Sequence, residues 1–70
     1  MAAAYMFDYE RVAREADIST TELEAICSLV RQDFPTDEMM FELHVLGICR
    51  RIRDGRTTAD AVLGREPTKA

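Results

Sequence analysis

The chain has 70 residues, of which 47% are hydrophobic and 31% are charged, and its formal net charge is −4 at pH 7. This balance is typical of a folded soluble domain and excludes a disordered chain of low hydrophobicity. The negative charge argues against a protein that binds nucleic acid through a broadly basic surface. So short a chain forms a single domain with one small core, burying only about 60% of the surface that its unfolded state exposes.

No apolar run in the sequence approaches the roughly 20 residues that are needed to cross a bilayer. The first seven residues, MAAAYMF, are apolar but lack the basic start and the cleavage site of a secretory signal. We therefore expect a cytoplasmic protein with no membrane partner.

The first helix is predicted over residues 9–16. Asp8 is a favourable N-cap, because its carboxylate can accept a hydrogen bond from a free backbone N–H of the first turn. Apolar residues recur at intervals of three and four, which is the spacing of one helix face. This predicted core stripe consists of Tyr5, Tyr9, Val12, Ala13 and Ala16.

The second helix is predicted over residues 20–34. Ser19 and Glu22 have the spacing of a capping box, and Ile18 and Leu23 flank them at the positions of a hydrophobic staple. Pro35 ends the helix, because the residue before a proline avoids the helical conformation. Its predicted core stripe consists of Leu23, Ile26, Cys27, Val30 and Phe34.

The third helix is predicted over residues 37–54, with Thr36 or Asp37 as its N-cap and Gly55 as its C-terminal stop. A short fourth helix is predicted over residues 58–63, where the run from Thr57 to Asp60 repeats the capping pattern.

Residues 65–70 are predicted to form a flexible tail. No segment alternates with the period of two that strands require. The sequence therefore predicts an all-α domain over residues 1–64, a compact three-helix bundle with a short fourth C-terminal helix. Val62 and Leu63 are expected to pack this last helix, and helix 3 is expected to be central.

Helix 3 carries two apolar faces rather than one. The first is an ordinary core stripe, formed by Phe41, Val45, Ile48, Cys49 and Ile52. The second is restricted to the first half of the helix, with Gly47 beside it and His44 at its edge, and comprises Met39, Met40, Leu43 and Leu46. Either other helices cover this second face, or it is an exposed patch that meets another chain.

The charges are distributed unevenly along the chain. Ten acidic and three basic residues lie in positions 1–42, whereas three acidic and six basic residues lie in positions 43–70. Four arginines fall within seven residues at the end of helix 3, namely Arg50, Arg51, Arg53 and Arg56. Their positive charge complements the helix dipole, and it could also meet an acidic surface on a partner.

The sequence contains no recognisable catalytic or metal-binding constellation. Cys27 and Cys49 fall on apolar helix faces, where free cysteine is a common core residue. His44 supplies neither a zinc motif nor a partner for a Cys–His pair, since five residues turn it about 140° from Cys49 around a helix. We therefore expect no enzyme activity, no metal, no cofactor and no small-molecule substrate.

The pattern of helix 3 favours a protein–protein interaction module, with self-association as a homodimer through its apolar first half. A regulatory or adaptor domain that docks a separate protein through the same patch is an alternative. A helix-turn-helix-like DNA-binding protein is a second alternative, because the turn between helices 2 and 3 is tight. Met39, Met40 and Leu43 would then lead the reading helix, and they offer no hydrogen bonds to bases.

Overall fold

The computed structural model describes residues 8–64, which contain four helices and no strand. The helices are α1 (Tyr9–Glu15), α2 (Thr20–Asp33), α3 (Glu38–Arg53) and α4 (Ala59–Val62). The prediction of an all-α bundle is confirmed, and each helix ends within one residue of its predicted bounds. The expected roles of Tyr5 and of the tail at 65–70 concern positions outside the described residues.

Side-chain caps begin the first three helices where the sequence predicts them. The carboxylate of Asp8 accepts a hydrogen bond from the Arg11 backbone at 3.2 Å. Ser19 and Glu22 form a complete capping box, with bonds of 3.0 and 3.2 Å. Asp37 is the cap of α3, because its carboxylate accepts from the Met40 backbone at 3.2 Å.

The fourth helix begins one residue later than the capping pattern suggested. The hydroxyl of Thr58, rather than that of Thr57, accepts the hydrogen bond from the Ala61 backbone at 3.1 Å. Two consecutive threonines offer the same chemistry, and the extended backbone of Thr58 makes it the residue that enters the helix.

Helices α1 and α3 both end in a Schellman motif. At the end of α3, Gly55 has a φ of 78°, and the Arg56 N–H donates to the Arg51 carbonyl at 2.8 Å. At the end of α1 the equivalent residue is Asp17, with a φ of 61°. The Ile18 N–H donates to the Ala13 carbonyl there at 2.9 Å, and both of these side chains are buried.

The three longer helices pack with α3 between α1 and α2, which confirms the predicted central place of helix 3. Helix α1 runs in the same direction as α3. Tyr9 at its start meets the Phe41 ring edge to face at 6.3 Å, and Glu15 at its end pairs with Arg53 at 3.2 Å. Helix α2 runs in the opposite direction, because Arg31 near its end lies over the ring of Phe41 near the start of α3. The short α4 packs against α2.

The core lies on one side of α3, where the three longer helices meet. Its buried members are Val12, Ala13, Ile18, Ile26, Val30, Phe41, Val45, Leu46 and Cys49. Partly buried side chains from every helix surround this cluster, and Val62 and Leu63 at the end of α4 are among them. The predicted stripes of helices 2 and 3 therefore face the core, as does the described part of the helix 1 stripe.

Candidate interaction surface

Met39 and Leu43 lie on the side of α3 that faces away from the core. Met39 is 52% exposed and Leu43 is 44% exposed, whereas Val45 on the opposite side is fully buried. Helices α1 and α2 flank the core side of α3 and leave these two side chains open to solvent. Of the three large apolar side chains exposed in the described part of the chain, Met39 and Leu43 lie one helical turn apart on α3, and Leu29 lies on α2.

Leu46 belongs to the core rather than to this exposed face, which corrects its predicted place in the patch. It is only 8% exposed and forms part of the buried cluster. Three residues advance a helix by about 300°, so Leu46 is rotated about 60° from Leu43 toward the packed side. That rotation is enough to move it beneath the neighbouring helices.

The remaining residues of the exposed side form what we call the outer face of α3. Met40 and Gly47 are half-buried on this face, and His44 is exposed at its edge. A Cβ atom added to Gly47 would meet no atom within 4 Å. Since no backbone of the described chain approaches Gly47, the space above it is open. The outer face consists of Met39, Met40, Leu43, His44 and Gly47.

His44 is held in place at the edge of the outer face. Its ring lies 4.5 Å from the ring of Phe34, measured between centroids, at an angle of 40°. Its Nδ1 lies 2.9 Å from the Met40 carbonyl oxygen. A carbonyl oxygen can only accept a hydrogen bond, so Nδ1 is the donor. These contacts hold the imidazole against the α2–α3 junction.

Arg31 braces the start of α3 from the neighbouring helix. Its guanidinium lies 3.7 Å from the centroid of the Phe41 ring, and its Nη1 donates to Glu38 at 2.9 Å. Cation–π and ion-pair contacts of this kind hold planar groups in a defined geometry. The start of α3, which carries Met39, is therefore held in place by the contacts of Arg31 with Phe41 and Glu38.

Glu42 is a buried residue that sequence reasoning did not single out. It is buried on α3 between Phe41 and Val45, on the core side of the helix. Helical periodicity alone places position 42 within the buried arc, but a glutamate at such a position is usually assigned to the surface. Its side chain has a partner in the structure.

The structure does not bring the four arginines together as one patch. Arg53 pairs with Glu15 at the end of α1 at 3.2 Å and with the adjacent Asp54 at 3.3 Å. Its hydrogen bonds to Asp54 and Glu15 raise the pKa of its guanidinium. Arg50, Arg51 and Arg56 are exposed, and within residues 8–64 they have no ion pair.

The two cysteines are free thiols that pack at the core. Burial raises the pKa of Cys49 from 9.0 to about 11, and the neighbouring Cys27 adds to this rise. Burial is also the largest cause of the raised pKa of Cys27. Both thiols therefore keep their protons at neutral pH, and the protonated form is the weaker nucleophile.

An open groove of about 380 Å³ lies at the other end of the molecule, between the α1–α2 turn and the α3–α4 connection. Ala16, Ile18, Gly55 and Thr58 are among its lining residues. Three acidic residues, Asp17, Glu22 and Asp60, also line the groove.

Within residues 8–64, no group of three or more histidine, cysteine or acidic side chains is arranged to hold a metal ion. None of the described helices combines the length and the apolar character that a membrane span requires. No family model, no curated protein and no solved structure matches this chain.

Proposed function

We propose that this protein is a small non-enzymatic protein–protein interaction module that self-associates through the outer face of α3. The observation that carries the proposal is the exposure of Met39 and Leu43 on the central helix, next to open space above Gly47. Covering these side chains removes apolar surface from water, which favours association. A homodimer is the economical arrangement, because one surface then serves both copies.

Two physical features support this choice of surface. Methionine is unbranched and adapts its shape to a partner, so Met39 and Met40 suit a binding face. The side chains behind them are already fixed by the core and by Arg31, so little further ordering is required when a second copy binds. The exposed apolar area is small, and we therefore expect a weak dimer that dissociates when the protein is diluted.

The proposal is tested by measuring the absolute mass of the protein by sedimentation over a hundredfold range of concentration. We expect wild-type protein to shift from monomer to dimer, and Leu43→Asp to remain monomeric, because dimerisation would bury the new charge. Leu29→Asp is the matched control. Leu29 is 39% exposed, close to the value for Leu43, but it lies on α2.

Circular dichroism of each variant establishes that the fold is retained. A wild-type protein that is monomeric at every concentration overturns the proposal of self-association. A dimer that Leu29→Asp dissociates and Leu43→Asp does not would place the interface on α2 instead.

The second candidate is a regulatory or adaptor domain that docks a separate protein through the same face. Its specific support comes from Arg50, Arg51 and Arg56, which are exposed without an ion pair among residues 8–64 and could meet an acidic partner. A monomeric wild type that captures an acidic protein from its source cell, and loses it in Arg50→Glu, would favour this function.

We do not favour helix-turn-helix-like DNA binding, although α2 and α3 are joined by a short turn. The leading half of α3 exposes Met39 and Leu43, which cannot read base edges by hydrogen bonds. Duplex affinity measured at low salt is the discriminating test, since binding through phosphates would be strongest there. A cytoplasmic location is part of our proposal, and the free thiols of Cys27 and Cys49 fit a reducing compartment.

A further inference from the structure

We infer that the two copies of α3 cross in opposite directions at Leu43, so that the basic end of each helix lies beside the acidic start of the other. This inference rests on the proposed self-association and adds the orientation of the partner. It follows from the charges at the two ends of α3, from the spacing of residues along the outer face, and from the open space above Gly47.

The charges at the two ends of α3 differ in sign. At the start of the helix, Glu38 is already paired with Arg31 at 2.9 Å, and the exposed cap residue Asp37 has no ion pair among the described residues. Arg50 and Arg51 lie at the other end, exposed and without an ion pair among the described residues. Two helices that paired in the same direction would place like charges together at both ends. Opposite directions place unlike charges together, which favours association.

The spacing along the outer face fits a crossing at Leu43. Arg50 lies seven residues after Leu43, an interval of about 10 Å at 1.5 Å per residue. Seven residues are also close to two full turns, so Arg50 lies on the same side of the helix as Leu43. Since α3 begins at Glu38 with Asp37 as its cap, Arg50 of one copy in an antiparallel pair lies beside the capped start of the other.

The open space above Gly47 supports the same crossing. Met39 lies four residues before Leu43, and Gly47 lies four residues after it. Antiparallel copies that cross at Leu43 thus place each Met39 side chain over the Gly47 of the other copy. Gly47 has no atom within 4 Å of the position that a Cβ would occupy, so a long flexible side chain fits there.

Disulfide trapping tests the orientation directly. The background is the full chain with Cys27→Ser and Cys49→Ala, once its sedimentation matches that of wild type. Leu43→Cys is expected to form a disulfide-linked dimer with itself, because it lies at the crossing. Gly47→Cys is expected to do so only when it is mixed with Met39→Cys. The matched control is Leu29→Cys, a comparably exposed leucine on α2 outside the proposed interface, which should not cross-link.

Sedimentation of wild-type protein at 50 and 500 mM salt gives an independent test. Screening of the attraction between unlike ends should raise the dimer dissociation constant about threefold. A parallel pair would instead be strengthened by salt, because screening would relieve repulsion between like ends.

The outcomes separate the two proposals. If Gly47→Cys cross-links with itself and not with Met39→Cys, the antiparallel orientation is overturned while self-association stands. If Leu43→Cys fails to cross-link although the wild type is a dimer, the crossing point is overturned. A wild-type protein that stays monomeric overturns both proposals.

Discussion

The two sides of α3 carry similar apolar residues in very different surroundings. Val45 is fully buried, whereas Leu43, only two residues away, is 44% exposed. The difference arises because α1 and α2 cover one side of the helix and leave the other open. The inner side of the helix contributes to the stability of the fold, whereas its outer face is open to solvent in the described chain.

The largest contrast between the two sides should appear when a large side chain is shortened. Phe41 is buried and contacts both Tyr9 and Arg31. Phe41→Ala is expected to lower the free energy of unfolding by about 3–5 kcal/mol, because it removes a buried ring and leaves a cavity. Leu43→Ala is expected to cost less than about 1 kcal/mol, since much of that side chain is already in water.

Urea unfolding at a concentration where the protein is monomeric measures both values. Phe41→Leu provides a milder step if Phe41→Ala does not fold, and its cost should lie between the other two. Equal losses for Phe41→Ala and Leu43→Ala would contradict the division of α3 into a structural and an available side.

Gly47→Ala should change stability and association in opposite directions. Alanine is the better helix former by about 1 kcal/mol, and nothing lies within 4 Å of the added methyl group, so the monomer becomes more stable. The same methyl group occupies the space proposed for Met39 of the other copy, so the dimer dissociation constant should rise.

Thermal unfolding and sedimentation of Gly47→Ala measure these two effects. Ser28→Ala, at an exposed position in α2, is the control that increases helix propensity without touching the outer face. An unchanged dissociation constant in Gly47→Ala would show that Gly47 lies outside the interface.

A change at the end of α1 should affect stability and leave the outer face untouched. Asp17 has a φ of 61°, a conformation that glycine adopts more readily than other residues. Asp17→Gly is therefore expected to stabilise the fold by about 0.5–1 kcal/mol, as judged from the urea midpoint. Its dissociation constant should equal that of wild type, and a shift would couple this distant turn to the interface.

A pH dependence of stability is also expected, and it arises on the inner side of α3. The pKa of Cys49 is raised from 9.0 to about 11 by burial. The folded state holds this proton until about pH 11, whereas the unfolded chain releases it near pH 9.0. Stability should therefore be undiminished below pH 9.0 and should fall as the pH rises through this window.

Comparison of wild type with Cys49→Ala isolates this effect from other groups that titrate in the same window. The variant should lose less stability between pH 9 and 10.5, measured by urea unfolding. Parallel pH profiles for the two proteins would show that the thiol proton is not linked to folding.

The starts of the helices could be predicted from the sequence because capping is a local interaction. Ser19 and Glu22 are three residues apart, and their two hydrogen bonds form whatever packs on the helix. The end of α1 has a weaker signal in the sequence than the helix starts have. Asp17 adopts the left-handed conformation that normally points to glycine, so its sequence signal is weak.

The candidate site was predicted only in part. Met39 and Leu43 are exposed on the predicted second face of helix 3, but Leu46 is drawn into the core. Arg53 leaves the predicted arginine cluster because Glu15, far away in sequence, lies within reach of it. Both outcomes depend on where α1 lies against α3, and helical periodicity carries no information on that placement.

Helix boundaries, the all-α class and the core stripes were determined by the sequence itself, because capping groups and apolar spacing act over three or four residues. Tertiary structure alone decided which side of α3 stays open. Helices α1 and α2 covered the side of α3 that carries Phe41, Val45 and Leu46, and they left Met39 and Leu43 in solvent. That choice arises from the packing of elements distant in the chain, where burial of apolar surface is a property of the whole domain.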